Sequence, residues 1–186
     1  MQYAPVIRHI GFVFKCWKQD YGDSDDWQTE HMIDCSLIRL IPADETHREF
    51  SYQVKKAAEG YYITSMFGWD EDIQRDFHAK AWQQQKPDII IYDGKPIGTI
   101  ATTESEDCID IGQFFILPDY QNKGIGTHLL NSVLDKADRS GKNVTLKFLK
   151  NNPVKSLYVR NGFRVVDTDE ILCHMERRTG ASSSSL

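Results

Sequence analysis

A strand-like run, Phe115-Ile116-Leu117, breaks at Pro118 into a polar turn and re-enters regular structure through Gln121-Asn122-Lys123-Gly124-Ile125-Gly126-Thr127. Glycines in the first turn of a helix leave backbone N–H groups uncovered, and the helix N-terminus adds a dipole that favours an anion. Lys123 puts a positive charge beside them. Such a turn suits a phosphate, and a pyrophosphate above all.

Two common phosphate loops fit this segment poorly. A Walker loop needs Lys and then Ser or Thr after its second glycine, whereas Gly126 is followed by Thr127-His128. A dinucleotide fingerprint needs three glycines opening a strand–helix–strand unit, and only two stand here. On this segment alone, a glycine-rich helix start without a ligand stays open.

The turn must be held by a strand before it and a helix after it. Ile109 to Leu117 reads as that strand. Ile125, Leu129, Leu130, Val133, Leu134 and Ala137 form a helical apolar stripe ended by Gly141. Val144, Leu146 and Phe148 alternate with polar neighbours as the next strand. Upstream, Cys35 to Ile41 reads as a strand stopped by Pro42, and Asp44 caps a helix over Glu45 to Ala58. Asp70 caps a second helix with Ile73, Phe77 and Ala81 on one face. Asp93-Gly94 joins Ile89–Tyr92 to Ile97–Thr102 as a hairpin. Downstream come a short helix from Pro153 to Asn161, ended by Gly162, and strands near Phe163–Val166 and Ile171–Met175. The order is β-α-α-β-β-β-α-β-α-β-β. It predicts an α/β (α+β) fold, a mixed sheet with helices on both faces, because the central crossover must be right-handed.

The net charge of −5 over 186 residues, with no basic cluster interleaved with aromatics, argues against nucleic acid as a partner. No apolar run approaches the ~20 residues needed to span a bilayer, which predicts a cytoplasmic protein with no membrane partner. Cys16, Cys35, Cys108 and Cys173 form no CxxC pair and suit reduced, buried thiols. The six histidines show no metal-binding spacing, so no metal is expected. Residues 1–31 lack periodicity and carry Asp23-Ser24-Asp25-Asp26; they read as a poorly ordered extension, with a short docked helix over Gln2 to Phe14 as the alternative. Residues 32–177 form the domain and 178–186 a flexible tail.

Two segments and the element order together resemble the GNAT superfamily of acyl-CoA-dependent N-acyltransferases. One is Gln121-Asn122-Lys123-Gly124-Ile125-Gly126, similar to that family's Gln/Arg-x-x-Gly-x-Gly/Ala pyrophosphate loop. The other is Asn151-Asn152-Pro153 through Leu157-Tyr158 to Gly162-Phe163, similar to its segment after the fifth strand. The resemblance covers residues 33 to 177. It implies a GNAT fold whose central strands splay apart, with acetyl-CoA as acyl donor in the cleft. It further implies that backbone groups of Ile116 and Leu117 hold pantetheine. The amides of Gln121, Asn122, Lys123, Gly124, Ile125, Gly126 and Thr127 would hold the pyrophosphate. Asn152 would touch the pantetheine arm, or act simply as a helix cap. His128 is a weaker phosphate contact.

By the same resemblance, Tyr158 is the general acid that protonates the departing thiolate; the plain alternative is a buried aromatic. Asp110, on the cofactor strand, is the candidate carboxylate base, with Glu104 and Glu106 in the preceding connection as alternatives or as solvated acids. The aromatic segment Tyr61 to Glu71 is similar to one in a bacterial branch of the family and is expected between the first two helices. Tyr62, Trp69 and Asp70 (with Glu71) would grip a cationic amine through ring faces and carboxylates, or pack the helix corner with Asp70 as a cap. The implied reaction is transfer of an acetyl group to a primary amine, on a small molecule or a peptide, by direct attack in a ternary complex. A small polyamine or amino compound fits the acidic charge slightly better. The alternative is a non-catalytic acyl-CoA-binding sensor on the same fold. Pairing of terminal strands between chains would give a homodimer.

Overall fold

The computed structural model describes residues 33–180. The expected extension, its alternative helix and Cys16 lie outside that range. The elements are β1 (Ile38–Pro42), α1 (Arg48–Phe67), α2 (Glu71–Gln84), β2 (Asp88–Tyr92), β3 (Lys95–Glu104), β4 (Cys108–Ile116), α3 (Ile125–Ser140), β5 (Asn143–Leu149), α4 (Lys155–Arg160), β6 (Arg164–Thr168) and β7 (Leu172–Arg177). The order is the one the sequence predicts. The strands form one sheet, β1-β2-β3-β4-β5-β7-β6, antiparallel except at β4–β5. Asp93 (φ 47°) and Gly94 (φ 75°) both take the left-handed conformation that a two-residue hairpin requires.

One irregularity shapes the centre of the sheet. Along β3–β4, Ala101 faces Gln113 and Thr102 faces Ile111, so Gly112 is an extra residue on β4. A bulge bends its strand and raises its twist. β4 pairs with β5 only from Cys108↔Asn143 to Ile111↔Leu146, then parts from it at the bulge. β5 meanwhile stays paired with β7 from Val144↔Arg177 to Leu149↔Leu172. The result is a wedge-shaped gap between the end of β4 and the end of β5.

α3 anchors one side of that gap. Ile125, Leu129, Leu130, Leu134 and Ala137 are buried on it, packed against Ile109, Ile111, Val144 and Leu146 of the diverging strands and against Ile97 and Ile100 of β3. Each such aliphatic side chain contributes about 1.5–3 kcal/mol by leaving water. Gly141 (φ 71°) ends the helix as expected.

Three boundaries and one helix face differ from expectation. Cys35–Leu37 is a 3-10 turn capped by Asp34 rather than the start of β1. α1 runs nine residues past Ala58 to Phe67, so Tyr61–Phe67 is its last two turns and not a loop. Gly60 lies within it where the Trp69 ring closes on the helix, 3.5 Å from where a Cβ would sit. α4 is shorter than predicted, because Pro153 and Val154 form a turn before it.

The fourth difference concerns a helix face. α2 buries Gln74, His78 and Trp82, while Ile73 and Phe77 stay exposed. The buried groups find partners: Gln74 accepts from Lys55 at 3.0 Å, His78 meets the Ser51 hydroxyl at 3.2 Å, and the Trp82 indole donates to Glu45 at 3.3 Å. Once satisfied, polar groups cost little to bury, and the apolar side chains are left facing outward.

Candidate active site

The glycine turn has the form an anion needs. Asn122 (φ 60°) and Gly124 (φ 88°) are left-handed on either side of Lys123, and α3 starts at Ile125. His128 is the first residue to donate back into the helix, to Gly124, so the N–H groups of Ile125, Gly126 and Thr127 are the free donors of the first turn. At Gly126 an added Cβ would meet nothing closer than Leu157 at 3.6 Å. Protein packing therefore does not demand glycine there; the bare backbone leaves room for a ligand. Lys123 stands over the Tyr120 ring at 5.8 Å, and His128 is exposed in the same turn.

Strand backbone leads from this turn into the gap. The Leu117 N–H donates to Ile97 at 2.9 Å and its carbonyl accepts from Tyr120, so Leu117 is spent within the fold. Strand alternation then turns the backbone of Ile116, and of Phe114 two residues earlier, toward the side β5 has left. The Ile116 carbonyl accepts the Gln121 side-chain amide at 2.7 Å, which braces the turn against the strand. β3 approaches this end so closely that a Cβ on Gly98 would sit 2.4 Å from the Phe115 carbonyl oxygen.

Tyr158 comes in from β5's side of the gap. Its ring packs between Phe148 (5.6 Å) and Phe163 (5.7 Å), and the residue is 5% exposed. Burial pushes its phenol up to about 12, with the Glu59 carboxylate adding to the rise. Just before α4, the Asn152 side-chain Oδ1 accepts the Val154 N–H at 3.0 Å, which is cap-like and leaves its side-chain N–H groups available. Neighbouring Asn151 donates to the Tyr62 carbonyl (3.0 Å) and the Ser65 hydroxyl (2.8 Å), tying the end of β5 to the end of α1.

On the α1–α2 face the gap opens into a cavity of about 360 Å³. Ile63 and Phe67 of α1, Phe77 of α2 and Phe115 of β4 give it apolar walls. Lys55 and Glu59, one helical turn apart on α1, line it as well, with His78 and Lys147. Burial holds the Glu59 carboxyl above the usual range, opposed by Lys55, and burial lowers the Lys55 ammonium, opposed by Glu59. His78 is also lowered, chiefly by burial. Sequence reasoning missed Lys55, Glu59 and Phe67; ending the helix at Ala58 cut off Glu59 and Phe67 and hid the one-face spacing from Ser51 through Lys55, Glu59 and Ile63 that was the available signal.

The residues expected to grip the acceptor lie elsewhere. None of Tyr62, Trp69 and Asp70 lines the cavity. Tyr62 is half-buried, edge-on to Tyr61 at 5.5 Å. Trp69 donates to Glu71 at 2.8 Å and has the Lys56 ammonium over its ring. Asp70 caps α2 by accepting the Ile73 N–H at 3.0 Å. Glu71 is held near 2, chiefly by Lys56. On the strand, Asp110 lies below the fork and accepts the Thr145 hydroxyl at 2.7 Å. Glu104 accepts Lys136 and Lys142, which hold its carboxyl at about 2; a base so paired is a weak one. Among the described residues no cluster of His, Cys, Asp or Glu could hold a metal ion.

A glycine-rich anion turn, a forked sheet and a buried tyrosine after the fifth strand now stand together, and the sequence pattern of the acetyltransferase (GNAT) family matches residues 44–163. The chain belongs to the GNAT family. Its GNAT fold aligns with the N-acetyltransferase PaiA of Thermoplasma acidophilum, solved with coenzyme A, at a TM-score of 0.61 and 20% identity, covering 76% of this chain and 98% of that one. It also aligns with the Escherichia coli ribosomal-protein-S18-alanine N-acetyltransferase at 0.56 and 19%, covering 80% and 98%. A third GNAT alignment is with Naa50 of Arabidopsis thaliana bound to a CoA–peptide bisubstrate analogue, at 0.52 and 18%, covering 76% and 98%. In sequence, 79 residues are 29% identical to an uncharacterised N-acetyltransferase of Methanocaldococcus jannaschii, a match spanning 38% of this chain and about a third, 35%, of that relative.

Proposed function

We propose that the protein is an N-acetyltransferase that moves an acetyl group from acetyl-CoA to a primary amine in a ternary complex. The observation that carries this reading is the fork itself: β4 and β5 part at Ile111↔Leu146, with the glycine turn opening α3, Tyr158 packed on Phe148 of β5, and a cavity lined by both parted strands. The likeness to acetyltransferases solved with CoA or a CoA analogue supports it.

Residues 121–127 would take the pyrophosphate, Lys123 by charge and Ile125, Gly126 and Thr127 by backbone N–H. The free edge of β4 at Phe114 and Ile116 would pair with the pantetheine amides as an added strand would, and the Asn152 amide would donate to the same arm. The Ile116 N–H is the nearest donor for the thioester oxygen. Attack by the neutral amine forms the C–N bond and breaks the C–S bond. Sulfur leaves with the bonding pair and gains a proton from Tyr158, while the nitrogen proton, relayed through water, restores the phenol. An amine that arrives as ammonium must first lose one further proton to a carboxylate. Of the two carboxylates near the fork, Glu59 lines the cavity and is uncommitted, whereas Asp110 is engaged by Thr145. That favours Glu59.

The test is calorimetric titration with acetyl-CoA and CoA of the wild type and a Lys123→Glu/Gly126→Trp variant. Micromolar binding that the variant abolishes is expected. Folded wild type that binds neither ligand would sink the donor site. Binding without amine-dependent thiol release would leave an acyl-CoA sensor instead.

A further inference from the structure

Resting on the acyl-transfer reading, we propose that the acceptor is a small amphoteric amine, carrying a primary amine and a carboxylate a few bonds apart on an apolar body, with its amine toward Glu59 and its carboxylate toward Lys55.

Both charges line the same cavity. Lys55 donates to the Gln74 side chain at 3.0 Å, and among the described residues neither Lys55 nor Glu59 has an opposite charge within ion-pair distance, 4.0 Å. A charge withdrawn from water without a partner is costly. The pair is retained one helical turn apart, a rise of roughly 6 Å, so a ligand with both charges would satisfy the two at once. The order along the helix fits the chemistry. Glu59 is nearer than Lys55 to the end of α1 that Asn151, just before α4, ties down through Tyr62 and Ser65, and its carboxylate acts on Tyr158 of α4; the amine is therefore set at Glu59, with Lys55 a turn further off.

The remaining groups around Glu59 sharpen the choice. Sharing the cavity with it are Lys55 on its own helix, His78 on α2 and Lys147 on β5, and its carboxylate also acts on Tyr158 of α4. Burial lowers His78 and so disfavours its charged form, and the two lysines oppose a second positive charge. That disfavours the polyamine suggested by overall charge. Ile63, Phe67, Phe77 and Phe115 form apolar walls large enough for an aliphatic or aromatic body, and Phe67 and Phe77 keep apolar surface exposed beside it.

The experiment compares phenylalanine and leucine with their carboxamides and with the parent amines, phenethylamine and isopentylamine. Binding to the CoA-saturated protein is read by calorimetry, and thiol release from acetyl-CoA is read separately. Each amino acid is expected to bind at least ~10-fold more tightly than its carboxamide, the scale of one charge-assisted contact. Lys55→Met should bring that ratio to about one, and Lys55→Arg should restore it. The Lys55→Met variant should still bind CoA as wild type does, which shows that it is folded. Amides or parent amines binding as well as the acids overturn the proposal, as does no binding by any probe. Binding with the expected preference but no thiol release would support the site while contradicting the acyltransferase reading.

Discussion

At the scale of the residue, Tyr158 is held neutral by its surroundings rather than poised to ionise. A phenol near 12 is a weaker acid than a free thiol near 8.5 by roughly 5 kcal/mol. Tyr158 therefore stays protonated over any working pH, as the proposed donor to sulfur requires. Tyr158→Phe should lower kcat about 100-fold with KM for acetyl-CoA changed less than about threefold; an equal loss in acetyl-CoA affinity would make it a packing residue only. Glu59 carries the opposite liability. Its carboxyl is raised in the fold by burial, so the folded state holds the proton where the unfolded chain has released it. Stability is then lost as pH rises from the ordinary carboxylate range through the raised value, and stays lost above it. Glu59→Gln removes that cost. Thermal melts should show the variant more stable than wild type at pH 8, with the gap closing by about pH 4, while its rate with amines falls. A gap that widens toward acid would reverse the assignment.

At the scale of the element, two glycines that look alike in sequence do different things. Gly98 is fixed by the approach of β3 to β4, where a Cβ would lie 2.4 Å from the Phe115 carbonyl. Gly98→Ala should cost about 1–3 kcal/mol in a denaturant melt. Gly126 meets only ordinary contacts. Gly126→Ala should leave the melt unchanged or slightly raised and CoA binding near that of wild type, whereas Gly126→Leu should weaken CoA binding about tenfold, measured by calorimetry. The same contrast explains what was legible in the chain. The loop, the α3 stripe, the Asp93-Gly94 hairpin and the element order were readable because each is set by local spacing and turn chemistry. The acceptor side was not. α2's buried face is polar, and it is satisfied by Ser51, Lys55 and Glu45 from outside the helix. A periodicity of apolar residues cannot reveal a face whose burial depends on partners so distant in sequence. The bulge at Gly112 was likewise silent, since only the register against β3 exposes it.

At the scale of the whole molecule, the sheet is two halves, β1–β4 and β5-β7-β6, joined by a short parallel ladder that ends at Ile111↔Leu146. α3 covers that seam on one face, and α1, tied to β5's end through Asn151, overlooks the fork on the other. The glycine turn and the α1–α2 cavity thus lie at the same gap, where the proposed donor and acceptor would meet. No helix among the described residues is long and apolar enough to cross a membrane. The central claim is that acyl transfer to an amine occurs at this fork. Its most direct test is the rate of free thiol released from acetyl-CoA, with and without primary amines, by the wild type and by Gly126→Trp. The account predicts release that requires an amine, yields the acetylated amine in equal amount, and disappears in the variant. Acetyl-CoA bound tightly but left intact with every amine supplied would contradict it.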